Sequence, residues 1–244
     1  MRILLAMLWV APAFAQLTVG AKAGVLSYTS GVVYLDGTSA AAQRTQAPQW
    51  GLLQTAAGRA EILLNACAVL HLDQFSSVRM LSNRLDDTRL ELVAGTAMLR
   101  ADAIVRDTKI SVAVRDASVP LSSAGVYRLS AEPPRLWVRD GKVTASTGGG
   151  SVTVRAGRTA ALRAGASIEK FNTDREDPLD RWSMRRMRIL ARESGLFVQQ
   201  MKERQERAES AKRLEDLARG DIAVPAGVDG APDPTRICAG AGIR

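Results

Sequence analysis

The residues that could do chemistry in this chain are few and far apart. Its one histidine, His71, lies in the strand-like run Val69–Leu72, on the side opposite to the leucines of that run, where a histidine is more often structural than catalytic. Asp86 and Asp87 are neighbours in a polar segment, where two carboxylates face water rather than form an acid–base pair. Gly148–Gly150 lacks the Lys-Ser/Thr and the helix of a phosphate-binding loop, so it is interpreted as a hairpin loop.

Known catalytic and metal-binding patterns are absent from the sequence. It contains no nucleophile elbow, no zinc-binding HExxH helix, no P-loop and no dinucleotide-binding fingerprint. One histidine excludes a multi-histidine metal site, and two distant cysteines exclude a zinc knuckle. We therefore predict that the protein is not an enzyme and has no catalytic residue, no cofactor and no metal ion.

Arginines provide the other chemical signal. The densest basic cluster is Arg181, Arg185, Arg186, Arg188 and Arg192. Such a cluster could bind a polyanion, which in an exported protein would be lipopolysaccharide, anionic lipid or DNA. Acidic residues are interspersed, however, and no aromatic platform accompanies the arginines, so a solvated helix face is the favoured interpretation and no nucleic-acid partner is expected.

The first residues have the pattern of a secretory signal peptide. Arg2 precedes the short apolar block Ile3–Val10, and the small-x-small site that ends at Ala15 is followed by Gln16. The segment is too short to span a bilayer, which disfavours an uncleaved anchor, and no cysteine follows the site for a bacterial lipid anchor. We expect residues 1–15 to be removed between Ala15 and Gln16, and the mature chain to be exported without a transmembrane segment.

Export bears on the two cysteines. An oxidising compartment permits a bridge between Cys67 and Cys238. However, Cys67 lies in the strand-like run Ala66–Leu72 and Cys238 lies in a Gly/Pro-rich tail. The favoured interpretation is a buried thiol and a separate tail thiol, with the bridge left open.

Composition and periodicity indicate a folded β protein with a helical extension. The 244 residues are 46% apolar and 24% charged, which is typical of a globular protein. Runs with a period of two, such as Lys109–Arg115 with Ile110, Val112 and Val114 on one face, recur at spacings of about ten residues. The pattern predicts an all-β sandwich or roll of about a dozen short strands over residues 20–168. Asp36-Gly37 and Asp140-Gly141 are predicted hairpin turns.

A helical pattern follows the β region. Asp177 and Pro178 are a typical helix start, and residues 177–219 are predicted to form a charged amphipathic arm of one or two helices, with a kink or break at Gly195. The arm's apolar stripe is predicted either to pack back on the β domain, which we favour, or to dock a partner; its members are Leu179, Trp182, Leu190, Phe197 and Met201. Residues 220–244 are rich in Gly, Pro and Ala and are predicted to be a disordered tail.

Several segments of the β region resemble, in order, the FecR domain family of bacterial envelope proteins. Leu53–Leu64 is similar to the family's "L-x-T…G-x-A-E-L-x-L" segment, in which Glu61 is expected to be a partly exposed strand residue. The other matching segments are Gly31–Gly37, Val69–Asp73 with Ser76–Arg79, Leu92–Gly95, Gly125–Arg128, Val138–Val143 and Val154–Gly157. Together they cover about residues 24–165.

The resemblance implies a β domain that binds protein rather than catalyses. Well-known members are inner-membrane anti-sigma regulators, with a cytoplasmic segment and a membrane helix before the periplasmic domain. This sequence shows neither pattern, so the resemblance implies only the periplasmic half of such a system. We expect an exported, periplasmic or envelope-associated interaction protein whose partner is another envelope protein. The alternative is a polyanion-binding envelope protein that uses the arginine-rich helix face.

Overall fold

The computed structural model describes residues 22–40 and 51–219, and for 196–198, 200, 201, 204 and 213–219 it describes the backbone alone. The predicted signal segment with Ala15 and Gln16, and the predicted tail 220–244, lie outside these residues. The described part is an all-β sandwich followed by one long helix, which confirms the predicted fold class.

Within the described residues there are 17 strands rather than about a dozen, because several are very short. They are β1 Val25–Ser30, β2 Val33–Leu35, β3 Thr38–Ser39, β4 Leu52–Thr55, β5 Arg59–Asn65, β6 Ala68–Leu72, β7 Ser77–Arg84, β8 Asp87–Ala94, β9 Thr96–Ala101, β10 Ile110–Val114, β11 Ala117–Pro120, β12 Gly125–Ala131, β13 Pro134–Asp140, β14 Lys142–Thr147, β15 Gly150–Arg155, β16 Arg158–Ala161 and β17 Ile168–Lys170. The helix α1 spans Pro178–Arg219.

Two sheets pack face to face. The first has the order β1-β5-β6-β9-β12-β13-β16-β17, and the second has the order β15-β14-β11-β10-β8-β7-β4-β2-β3. Among the described strands, all pairs are antiparallel except β8 with β10. Alternation along the strands fills the space between the sheets: Ile110, Val112 and Val114 are buried together, as their spacing predicted.

The two Asp-Gly turns have different roles. Asp36 and Gly37 have φ angles of 48° and 79° and join β2 to β3 in a tight hairpin, as predicted. The prediction for Asp140-Gly141 is wrong: β13 belongs to the first sheet and β14 to the second, so this turn carries the chain across the sandwich. Both turns need the left-handed backbone at glycine, so the sequence signal is the same.

Cys67, at the turn between β5 and β6, is buried and forms a disulfide bond. The favoured interpretation of a buried free thiol is therefore wrong. The sequence has one other cysteine, Cys238, which lies outside the described residues. A disulfide persists in an oxidising compartment.

Helix α1 is a single helix of 42 residues, and it continues through Gly195, where a kink or break was predicted. It starts with reciprocal capping: Asp177 Oδ1 accepts from the Asp180 amide at 2.9 Å, and Asp180 Oδ2 accepts from the Asp177 amide at 3.1 Å. At about 1.5 Å per residue, α1 is about 63 Å long. No stretch of its described residues is apolar enough to cross a membrane.

Candidate functional site

The outer face of the first sheet, under the start of α1, carries a row of side chains from six strands. Strand register places them next to one another in the order Tyr28 (β1), Glu61 (β5), His71 (β6), Met98 (β9), Arg128 (β12) and Trp137 (β13). In β5, β6, β9, β12 and β13 the residues on either side of this row are buried in the core, so alternation directs the row away from it. In β1 a register shift between Leu26 and Tyr28 interrupts the alternation. The row combines apolar surface with charges of both signs.

Two apolar side chains anchor α1 on this face. Leu179 and Trp182 are buried against Met98, with Tyr28 and Val126 packed around them. The Trp182 ring meets the His71 ring edge to face, with centroids 5.1 Å apart. The apolar stripe of the arm therefore begins by packing on the β domain.

Glu61 is the centre of a buried polar network. Arg186 of α1 binds its carboxylate with two hydrogen bonds, from Nε and Nη2, both 2.9 Å long. Ser27 Oγ donates to Glu61 Oε1 at 2.7 Å, and His71 Nε2 lies 3.2 Å from Oε2. The Arg186 guanidinium also stacks over the Tyr28 ring at 3.9 Å. The expectation that Glu61 is partly exposed is wrong, since α1 covers its side of the sheet and leaves it fully buried.

The network continues from His71 back into α1. Ser183 Oγ lies 2.7 Å from His71 Nδ1 and accepts from Arg100 Nε at 2.6 Å. These contacts assign one consistent pattern: Ser183 donates to Nδ1, and His71 Nε2–H donates to Glu61, so the imidazole is neutral. Each polar group of the chain Arg100–Ser183–His71–Glu61 has a partner, as burial requires.

Electrostatics keep the network in this charge state. Burial pushes the pKa of Glu61 upward, but the hydrogen bonds from His71, Arg186 and Ser27 outweigh it and bring the pKa to about 2. Burial lowers the pKa of His71 below 6.5; Glu61 opposes this shift, while the charges of Arg100 and Arg186 add to it. At neutral pH the site thus holds one carboxylate, two guanidiniums and a neutral imidazole.

Ser183, His71 and Glu61 form a line like that of a nucleophile, a base and an acid. Their geometry, however, suits holding α1 on the sheet rather than catalysis. All three side chains are fully buried, so a substrate carbonyl has no route to the Ser183 oxygen. That oxygen is already engaged by Arg100, and the carboxylate by Arg186. Among the described residues no group of three or more metal-ligating side chains could hold an ion.

A second group of ion pairs holds the first turn of α1. Arg139 of β13 donates to Asp180 Oδ2 at 2.7 Å, and Arg128 of β12 pairs with Asp177. The same two aspartates cap the helix, so each links the helix end to the sheet. The start of α1 is therefore tied to β5, β6, β9, β12 and β13.

The structure divides the predicted docking stripe. Leu179 and Trp182 face the sheet and are buried, and Leu190 is half-buried. The side chains of Phe197 and Met201 lie outside the described set. Leu179 and Trp182 thus pack back on the β domain, and a docking role for the other stripe residues stays a prediction.

The predicted basic cluster is divided as well. Arg186 lies in the buried network and does not belong to an exposed patch, because it points to the sheet. The other four are exposed and follow one another at spacings of four, three and four residues, which places them along one face of α1. We call Arg181, Arg185, Arg188 and Arg192 the arginine stripe; it lies about 140° around the helix from the docked side.

Two crystal structures match part of this chain. Both are described as a putative anti-sigma factor from Parabacteroides distasonis, and they are 19% and 18% identical to this chain with TM-scores of 0.41 and 0.42. Each match covers 50% of this chain and 59% of the other, so this chain spans less than two thirds of their length. Similarity at this level bears on neither site nor function. No protein-family model and no curated protein matches the chain.

Sequence reasoning missed most of the network that holds α1. Arg100, Arg128 and Arg139 alternate with core residues, and alternation alone predicts that they point outward without indicating that a helix covers them. One feature pointed to a covering element, because the same outward face also carries the apolar side chains of Tyr28 and Met98. Apolar and charged residues mixed on one outward face indicate that another element covers it.

Proposed function

We propose that this protein is an exported, non-enzymatic cell-envelope protein in which a FecR-like β domain acts as a protein-interaction module with a possible sensing role. The ordered FecR-like segments and the signal-peptide pattern support this proposal. The disulfide at Cys67 agrees with an oxidising compartment. In this proposal the docked start of α1 belongs to the module, and the rest of α1 is an arm that extends from it.

The observation that carries the proposal is Phe75, between β6 and β7. It is 70% exposed, and its φ angle of 51° is uncommon for a bulky residue. Its amide donates to the Ala56 carbonyl at 2.9 Å, while Ser76 Oγ donates to Gln74 O and accepts from Thr96 N. A rigid loop that holds an aromatic ring in solvent is suited to inserting it into an apolar pocket of another envelope protein.

Site-specific photo-crosslinking in the envelope tests this proposal. A photo-reactive residue at Phe75 should capture one defined envelope protein, whereas the same residue at Leu81 should not. Leu81 is a matched control because it is 50% exposed on β7 of the same domain. Equal capture at both positions, or none at Phe75, would contradict the proposal. A third probe at Ile189 reports whether the arm, rather than the β domain, contacts the partner.

The N-terminus of the recovered protein tests the proposed export. The protein recovered from the periplasmic fraction should begin at Gln16, as determined by intact mass. A full-length chain that stays in the cytoplasm would contradict the proposed localisation without bearing on the interaction at Phe75.

The polyanion alternative is less well supported, since Arg186 is committed to Glu61 and four arginines remain exposed. The same face of α1 carries glutamates further along, which repel a long polyanion. Steep weakening of binding to an anionic polymer with added salt would favour it.

A further inference from the structure

The arginine stripe has charges that no carboxylate of the described residues neutralises. Arg181 Nη1 donates to the Glu176 carbonyl, and Arg188 Nη2 lies 3.6 Å from Met184 Sδ. Among the described residues, no carboxylate lies within ion-pair distance of the stripe. Four guanidiniums on one face of a helix repel one another unless an anionic partner lies along them.

The same face of α1 carries a complementary pair further on. Glu203 and Glu206 follow Arg185 and Arg188 by 18 residues each, which is about five helical turns and returns to the same side. Both glutamates are exposed and, among the described residues, neither is paired with a cation. One face of α1 thus carries four arginines in its first half and two glutamates in its second.

We propose that two copies of this chain associate through this face, with their α1 helices antiparallel. A two-fold axis between residues 195 and 196 places Arg185 opposite Glu206 of the partner and Arg188 opposite Glu203 of the partner. Symmetry repeats both pairs, so the interface contains four ion pairs. The same axis places Arg192 opposite the polar Gln199 of the partner.

The residues near the two-fold axis allow the two α1 helices to approach each other closely. Gly195 lies on the same face, and a Cβ at this position would meet no atom within 4 Å, so two backbones can come close there. Ile189 flanks the stripe and is 40% exposed, which adds apolar surface to an interface of charges. The β domain is docked on the far side of α1 and leaves the face open.

Sedimentation of the full-length mature protein, with two charge-reversal variants, tests the proposal. At about 0.01 M ionic strength, where the Debye length is about 30 Å, the protein should be dimeric, and at about 1 M the dimer should weaken. R185E/R188E and E203R/E206R should each raise the dissociation constant about tenfold or more, because each turns four attractions into repulsions. Both variants change exposed residues away from the docked side, so circular dichroism should be unchanged.

Mixing the two variants is the decisive experiment. R185E/R188E has only acidic side chains at the four paired positions and E203R/E206R has only basic ones, so an equimolar mixture should form a heterodimer although each alone does not. Gly195→Cys should cross-link the dimer at its axis, whereas a cysteine at Ala208, about 19 Å along the helix, should not. A monomer at all concentrations, a dimer indifferent to both reversals, or a monomer that binds heparin through the arginine stripe would each overturn the proposal.

Discussion

Replacing Glu61 with glutamine should detach α1 from the sheet at a large cost in stability. The carboxylate accepts hydrogen bonds from Arg186 Nε and Nη2, from Ser27 and from His71. An amide offers one oxygen, and its NH2 group would face donors. Removing one partner of a buried ion pair costs about 3–5 kcal/mol because the other charge is left uncompensated.

The pKa of Glu61 gives a second estimate of the stability that its carboxylate contributes. Its pKa falls from 4.5 to about 2 on folding, which corresponds to about 3 kcal/mol of stability at neutral pH. The sign follows from linkage: a carboxylate with a lowered pKa stabilises the fold above pH 4.5, and this contribution is lost as the pH falls towards 2. The two estimates agree on a loss of about 3 kcal/mol or more.

Urea unfolding at pH 7, followed by circular dichroism and tryptophan fluorescence, measures this loss. The matched control is Glu91→Gln, which removes an exposed pair with Arg79 at 2.7 Å and should cost about 1 kcal/mol or less. Combining Glu61→Gln with Arg186→Gln should cost much less than the sum of the single changes, since neither charge is then left alone. Equal losses for Glu61→Gln and Glu91→Gln would refute the assignment of a buried network.

Three further predictions concern single positions. Because burial lowers the pKa of His71, the unfolded state takes up its proton first, so stability should decline as the pH falls below about 6.5; His71→Gln should flatten this part of the urea-unfolding profile, and an unchanged profile would count against it. Gly195→Ala should stabilise α1 by about 0.5–1 kcal/mol in thermal unfolding, since no atom lies near the added methyl; a loss of helix would contradict an unbroken α1. Thiol titration in denaturant should find no free thiol before reduction and one in Cys67→Ser; a free thiol in the unreduced protein would contradict the disulfide.

The strands could be predicted because their information is local. Ile110, Val112 and Val114 alternate with polar residues, and one buried face is sufficient to specify that pattern. The topology depends on longer-range contacts. Nothing near Asp140-Gly141 distinguishes a hairpin from a crossing between sheets, because both need the same left-handed glycine.

The covered outer face shows why the site was harder to predict than the fold. Alternation placed Glu61 and His71 correctly outside the core, but an outward residue is exposed only when nothing packs over it. The covering helix starts more than 100 residues later in the sequence. A single-sequence pattern therefore gives the direction of these side chains and not their burial.

Arg186 shows which information was present and which was missing. By composition it is one of five equivalent arginines, but at about 100° per residue it lies about 140° from Arg181 and close to the side of Leu179 and Trp182. Those two apolar residues determine which side of α1 docks. An arginine on that side is therefore either buried without a counter-charge or paired with a carboxylate of the sheet. Glu61 is that acid, 125 residues earlier in the chain. The helical phase thus separates a structural arginine from an exposed stripe, once an apolar anchor in the first turn defines the docked side.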